Sequence, residues 1–321
     1  MPGVEMLLKP LKRELVGRRR KSALKLVGLG EALWDLLPSG KQLGGAPTNF
    51  VYASRLLGDE AIIASRVGFD EQGQEILNRL ERLGLSTSYV QRDDGHPTGT
   101  VHVQVDERGR PAFMITKDVA WDYLEWTPQW QELAAQADAV CFGSLAQRSP
   151  NSRKTIQRFL QTTSPAALRV FDANLRQSFY TAELLCESLK AATIVKLNDD
   201  ELRQLSELLK LSGKDERTLA VQLMRAFDLE MVCITREARG SLLVTEKVMT
   251  EHFGLQVKVA DTIGAGDAFT AALVHCYLRR ASLEEVSDAA NRMGAWMATQ
   301  VGATPLFEGQ PLNVKRLLEN H

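Results

Sequence analysis

The chain has 321 residues, a formal net charge of −1, 44% hydrophobic and 25% charged residues. These values exclude disordered, collagen-like and disulfide-scaffold proteins, and a balance this close to neutral supplies no global field for nucleic acid or an anionic membrane. Function must therefore reside in a local site.

Residues 1–22 contain the run Arg18-Arg19-Arg20-Lys21 without a signal-peptide core and are expected to form a flexible basic extension, leaving 23–321 as one domain. Leu24 to Gly28 is a short apolar run ending in glycine and predicts a buried strand. Residues 46–57 carry apolar side chains at helical spacing and stop at Gly58. Ala61 to Ser65 predicts a second strand, and 70–83 a helix stopped by Gly84. The pattern then changes to alternation over 100–105 and 111–115, with the turn Asp106-Glu107-Arg108-Gly109 between them, which predicts an antiparallel hairpin.

Further strands are predicted at 139–142, 168–171, 193–196 and 231–235, with helices between them, then helices at 265–279 and 283–300. The strands are continuous apolar runs, as a parallel sheet covered on both faces requires. The expected architecture is one doubly wound α/β domain with a small β excursion. Cys141, Cys186, Cys233 and Cys276 are far apart in apolar surroundings and form no Cys-x-x-Cys pair. Buried, reduced thiols of a cytoplasmic protein are the expectation, and no apolar run approaches a membrane span.

The densest chemical signal is Asp261-Thr262-Ile263-Gly264-Ala265-Gly266-Asp267, followed at once by an apolar helix. Gly264 and Gly266 free the backbone to bend and approach a ligand. The amides at the helix start then favour a phosphoryl group, and Asp267 beside them reads as a base for an attacking hydroxyl. The competing reading is a glycine turn whose Asp merely caps the helix. A second signal, Gly44-Gly45-Ala46-Pro47-Thr48-Asn49, also opens a helix, and Asn49 offers both a donor and an acceptor to sugar hydroxyls. Asp35, just beyond the first strand, either holds a polyol or is an ordinary loop aspartate. No Gly-x-x-x-x-Gly-Lys-[Ser/Thr] occurs, and Gly28-Leu29-Gly30 lacks the third glycine of a dinucleotide fold, which leaves an oxidoreductase weakly supported.

Asp261 to Asp267 resembles the C-terminal signature of the PfkB carbohydrate kinases, the ribokinase-like sugar kinases, and Gly44 to Asn49 resembles the family's N-terminal glycine signature. Asp172-Ala173-Asn174-Leu175-Arg176 resembles the Asp-x-Asn-x-Arg of the fructokinase-like branch, and Asn198-Asp199-Asp200-Glu201 the element that organises magnesium and phosphate. The resemblance runs from about residue 24 to 307. It implies a Rossmann-like three-layer domain with a mostly parallel sheet, and a β lid formed by about 31–43 and 99–116 that closes over the sugar. Asp267 would be the base, and the amides of Gly264, Ala265 and Gly266 would steady the γ-phosphate. The sugar would lie against Asp35, Gly44, Gly45, Asn49 and Arg176, and ATP against Lys196, Asn198, Thr235, Gly240 and Asn291. Magnesium would be reached from Glu201 through water, and a monovalent cation, potassium, would sit near Asp261, Ile263 and Gly302.

The implied partners are a small sugar and ATP, with no nucleic acid, no membrane, and a homodimer formed through the lid. Ala46-Pro47 stands where kinases of phosphorylated sugars carry lysine, which favours an unphosphorylated substrate, fructose first. The 2-keto-3-deoxygluconate and aminoimidazole riboside kinases are the alternatives, and a catalytically impaired sugar- or nucleotide-binding protein is the reading from another class. One departure stands out. The family's Thr-x-Gly-x-x-Gly nucleotide loop is here Thr235-Arg236-Glu237-Ala238-Arg239-Gly240. Glu237 is expected to force the loop off a positive φ and to place a carboxylate near the phosphates; the competing account is that the flanking guanidiniums of Arg236 and Arg239 neutralise it and hold the loop in a working shape.

Overall fold

A computed structural model describes residues 23–38, 40–105, 111–307 and 309–318. The expected basic extension, residues 1–22, lies outside them. The apolar runs form the middle of the main sheet as β1 (Lys25–Leu29), β4 (Glu60–Gly68), β8 (Ala139–Phe142), β9 (Leu168–Asp172), β10 (Ile194–Asn198) and β11 (Met231–Thr235). Three strands absent from the sequence reading complete it: β5 (Val90–Asp93) and β13 (Met249–His252) at the two edges, and β12 (Ser241–Thr245) next to β13. Their spatial order is β13-β12-β11-β10-β9-β8-β1-β4-β5, parallel throughout except for the antiparallel β11–β12 and β12–β13 pairs.

Both faces of this sheet are covered, which is why its strands read as unbroken apolar runs. Leu26, Ile63, Cys141, Val170, Ile194 and Cys233 point into one core. That core is shared with α1 (Ala46–Leu56), α2 (Glu71–Arg82), α8 (Ala265–Leu278) and α9 (Leu283–Ala298). Val27, Ile62, Val140, Phe171, Val195 and Val232 point into the other. There they meet α3 (Pro128–Gln136), α4 (Pro150–Thr162), α5 (Ala182–Ala191), α6 (Asp199–Leu208) and α7 (Glu216–Phe227). Cys141 and Cys233 are buried, and all four cysteines are free thiols.

Helix limits follow local chemistry. Gly58 and Gly84 end α1 and α2 with φ of 84° and 69°, the left-handed exit that glycine adopts at little cost. Asp70 caps α2 by accepting the Gly73 amide, and Asn198–Glu201 and Ser282–Glu285 form capping boxes on α6 and α9.

A second sheet holds β2 (Leu33–Leu37), β3 (Gly40–Gly44), β6 (Gly99–Val105) and β7 (Pro111–Ile115) in the order β3-β2-β6-β7. The β6–β7 pair is the antiparallel pairing that alternation predicts, and the expected turn Asp106-Glu107-Arg108-Gly109 lies outside the described residues. Leu33, Val101 and Ile115 bury one face against the main domain, and Trp34 on the other face donates its indole N–H to the Gln72 carbonyl of α2. The small sheet leaves from the carboxyl end of β1, the end where open α/β sheets bind ligands, and its Asp35 feels the charge of Arg176 in the loop after β9.

Candidate active site

The two glycine signatures, 218 residues apart, meet at one point: the Asn49 side-chain amide donates to Asp267 Oδ2 at 2.9 Å. α1 brings Asn49 there because it packs directly on β1, where a Cβ at Gly28 would stand 2.3 Å from the Pro47 carbonyl. α8 starts at Gly264, whose φ is 77° and which no side chain caps. Its first-turn amides are therefore directed outward beside Asp267.

Burial pushes the Asp267 carboxyl up to about 6, helped by the charge of Asp172 and opposed by Lys196, the Asn49 amide and Arg176. Lys196, in the middle of β10, donates to Asp172 Oδ1 at the end of β9 at 3.0 Å, and both are buried. The Thr270 hydroxyl lies 3.1 Å from Asp172 Oδ2 and 2.9 Å from the Gly266 carbonyl. Burial alone would lower the Lys196 pKa, yet the charges of Asp172, Glu201 and Asp267 outweigh it and push it up. Its ammonium is thus a fixed cation beneath the turn, 3.1 Å from where a Cβ on Gly266 would stand.

On the small-sheet side Asp35 extends from β2. A Cβ at Gly44 would stand 2.0 Å from Asp35 Oδ2, so only glycine leaves the carboxylate its place. Burial raises Asp35 to about 6, against the pull of Arg176 from the loop after β9. Gly45, with φ of 101°, is pressed on the Glu31 carbonyl. Glu31 is 2% exposed and raised to about 7, chiefly by burial. Its Oε2 and the Asn49 Oδ1 are buried acceptors without a hydrogen-bond partner among the described residues, a cost that a bound donor would relieve. Sequence reading passes over Glu31, Asp172 and Thr270 as site residues; the available signal was an acid directly after β1 and another at the end of β9.

The nucleotide-side candidates lie along β10, β11 and the following loop. Glu201 accepts the Leu175 and Asn198 amides, each at 2.9 Å, and so fixes the loops after β9 and β10 against each other. Thr235 pairs with Asn198 and Ser241 in the sheet register. Asn291 on α9 is buried and donates to Ser241 Oγ and the Ser287 carbonyl, both at 2.8 Å. Gly240 has φ of 85°, and a Cβ there would stand 1.9 Å from the His252 carbonyl.

Glu237 does not behave as expected. Its φ is 52°, so the loop keeps the left-handed turn with glutamate in it. The neighbouring contacts explain how. Arg236 forms ion pairs with Glu216 and Glu251, and Arg239 pairs with Asp199. Guanidiniums anchored on three sides, with the Arg236 amide donating to the Gly240 carbonyl at 2.8 Å, hold a strained residue that would otherwise relax. The Glu237 side chain is exposed.

Asp261, Ile263 and Gly302 do come together. Asp261 Oδ1 accepts the Ile263 amide at 3.0 Å, and its Oδ2 accepts the Gly302 amide at 3.1 Å. Ala303 lies against Gly264, where an added Cβ would stand 2.5 Å from the Ala303 methyl. The 302–303 loop therefore backs the turn that carries the candidate anion hole.

Residues 39–308 match the family described as pfkB family carbohydrate kinase. The chain belongs to that family. Among its relatives is the fructokinase of Escherichia coli, 30% identical over 297 residues, which cover 86% of this chain and 93% of the relative. The fold superposes on a sugar kinase of Pyrococcus horikoshii solved in complex with ATP, at 27% identity and a TM-score of 0.74, covering 88% of this chain and 94% of that one. It also superposes on a fructokinase double mutant of Vibrio cholerae solved with fructose, ADP and potassium, at 25% identity and a TM-score of 0.76, covering 89% and 96%. The fold is ribokinase-like, and the chain is a sugar kinase of the fructokinase-like branch. No helix among the described residues is long and apolar enough to cross a membrane.

Proposed function

We propose that the chain transfers the γ-phosphate of ATP to a hydroxyl of an unphosphorylated sugar, with fructose as the substrate. The observation that carries this reading is Asp267 at the uncapped start of α8, held by Asn49 from the other glycine signature. Asp267 takes the proton of the attacking hydroxyl as its oxygen bonds to the γ-phosphorus and the bond to the bridging oxygen of ADP breaks. The amides of Gly264, Ala265 and Gly266 and the ammonium of Lys196 meet the charge on the transferred group. Asp35, Asn49 and Arg176 orient the sugar, and the small sheet acts as a lid that keeps water from attacking in its place.

A neutral sugar fits the local charge. Glu31, Asp35 and Asp267 face one exposed guanidinium, Arg176, whose charge acts on all three. A sugar already carrying a phosphate would bring about two further negative charges to three carboxyl groups.

The nucleotide would lie along Thr235, Gly240 and Asn291. Glu201 has its two oxygens committed to backbone amides, which suits a magnesium reached through water rather than bound directly. Bound magnesium would supply charge neutralisation between the phosphates. Asp261 shapes the loop whose carbonyls, with that of Ile263, would face a potassium ion.

The test is ADP release over a panel of fructose, other hexoses, 2-keto-3-deoxygluconate and aminoimidazole riboside. Fructose should give the highest kcat/KM. A preference for the sugar acid or the riboside would overturn the substrate assignment and leave the sugar kinase standing.

A further inference from the structure

We propose that Gln42 is a positioning residue that transmits closure of the small sheet over the sugar to the turn that receives the phosphate. The proposal rests on the sugar-kinase reading and adds to it a physical link between the two halves of the site.

Asp35 and Gln42 are directly opposite on the antiparallel β2–β3 pair. Opposite residues project to the same face, so Gln42 shares the face of the proposed sugar ligand Asp35. That face is turned inward, since Leu33, one pleat along it, is buried with the main domain. Gln42 reaches past Asp35 to the loop after α9. A Cβ at Gly302 would stand 2.8 Å from Gln42 Oε1 and 3.2 Å from its Cδ, so the amide packs, oxygen nearest, against a glycine whose φ is 73°.

Gly302 in turn donates its amide to Asp261, and its neighbour Ala303 packs against Gly264 at the start of α8. A continuous line of contacts thus runs from Asp35 through Gln42 and residues 302–303 to the first glycine of the anion hole. The far side of that loop is tied down, because Arg79 of α2 donates to the Thr304 carbonyl at 2.7 Å and the Tyr52 hydroxyl of α1 bonds the Pro305 carbonyl. A displacement of β3 therefore cannot be absorbed by the segment beyond 303 and is passed toward Gly264.

The chemistry of Gln42 points the same way. Its Oε1 is buried without a hydrogen-bond partner among the described residues. An unpaired amide oxygen at a packed boundary costs free energy and is not needed to fill space, since leucine or methionine would do so. An acceptor left unmet in this arrangement favours a second one, with the small sheet shifted, in which it is met, and two such arrangements are what a coupling element requires.

The experiment compares wild type with Gln42→Ala, Gln42→Asn, Gly302→Ala and the Gln42→Ala/Gly302→Ala double variant. A positioning role predicts, for Gln42→Ala, a sugar Kd within about 2-fold of wild type by calorimetry and a kcat for phosphorylation lower by about 10-fold. ATP hydrolysis without phosphorylated sugar should rise as a fraction of turnover. Gly302→Ala, whose methyl group displaces the amide, should show the same signature. The double variant should be no worse than the poorer single one, because both break one contact. Gln42→Asn, too short to reach Gly302, should resemble Gln42→Ala.

Hydrogen exchange supplies a readout that needs no turnover. ADP binding should protect residues 33–44 in wild type and leave them unprotected in Gln42→Ala. If the chain phosphorylated no sugar at all, the functional reading would fail while this exchange result still decided the coupling. Additive losses in the double variant, a raised sugar Kd with unchanged kcat, or ADP-induced protection that survives in Gln42→Ala would each overturn the proposal. Unchanged kinetics in a folded Gln42→Ala protein would do the same.

Discussion

Replacing Asp267 by asparagine should kill the enzyme and stabilise the fold at once. Asparagine keeps the shape, and its side-chain oxygen can still accept the Asn49 amide that Asp267 Oδ2 receives at 2.9 Å. It cannot accept a proton from the sugar, and loss of a general base costs about 10²–10⁴ in rate.

The stability gain follows from the pKa. The carboxyl rises from 3.8 to about 6 in the folded chain, chiefly through burial. An acid whose folded pKa is raised binds its proton more tightly in the folded state. Stability therefore falls as pH climbs from about 4 to about 6, and the full cost is present above that. Roughly two pKa units at about 1.4 kcal/mol each give about 3 kcal/mol, with the attraction of Lys196 and Arg176 already inside the net shift. The neutral asparagine escapes that cost. With an unfolding entropy of about 2 cal/mol/K per residue over some 300 residues, about 3 kcal/mol corresponds to a rise of about 5 °C in Tm.

The assay pairs ADP release with thermal unfolding at pH 8 and pH 4.5. Activity should fall at least 100-fold while Tm rises by about 5 °C at pH 8 and by only about a third of that at pH 4.5, where most of the wild-type carboxyl is protonated in the folded chain. Wild-type kcat/KM should fall with a slope of one proton below about pH 6. A variant that retains more than about a tenth of the activity, or that melts lower at pH 8, would show Asp267 to be a helix cap and not the base.

Asp35→Ala and Asn49→Ala should each weaken sugar binding by about 1–3 kcal/mol, the cost of leaving buried polar partners unmet, with ATP affinity little changed. Equal loss of both ligands in calorimetry would point to a folding defect instead. Glu31→Gln should raise stability at pH 8 and leave it unchanged at pH 4, because the Glu31 carboxyl, raised from 4.5 to about 7, disfavours its charged form in the folded chain; denaturant titrations showing no pH-dependent gap would refute it. Glu237→Gly should lower the ATP KM by a factor worth about 0.5–2 kcal/mol, since it removes an exposed carboxylate, and it also relieves a left-handed residue that costs about 1 kcal/mol. A raised ATP KM would make Glu237 a working part of the loop.

Local chemistry wrote the middle of this protein into its sequence. The parallel strands are legible because burial on both faces demands unbroken apolar runs, and α1 and α2 end where Gly58 and Gly84 permit a left-handed exit. The Asp261–Asp267 turn was equally plain, since two glycines and an acid opening an apolar helix have few other uses. The edge strands β5 and β13 were not legible, being short and partly polar because an edge has fewer neighbours to bury against, and β12, though apolar and buried between β11 and β13, is only five residues long.

Two matters were left to the tertiary structure. Glu237 keeps a left-handed φ because Arg236 and Arg239 are anchored to Glu216, Glu251 and Asp199, partners spread from residue 199 to residue 251. From the loop alone the expectation for φ is the opposite, and only the competing account names Arg236 and Arg239, without the distant partners that anchor them. The other is the assembly of the site itself: Asn49 beside Asp267, Lys196 on Asp172, and Gln42 against Gly302. No spacing along the chain encodes those contacts. They exist because packing α1 and α8 into one core, and setting the small sheet at the carboxyl end of β1, brings distant side chains within hydrogen-bonding reach.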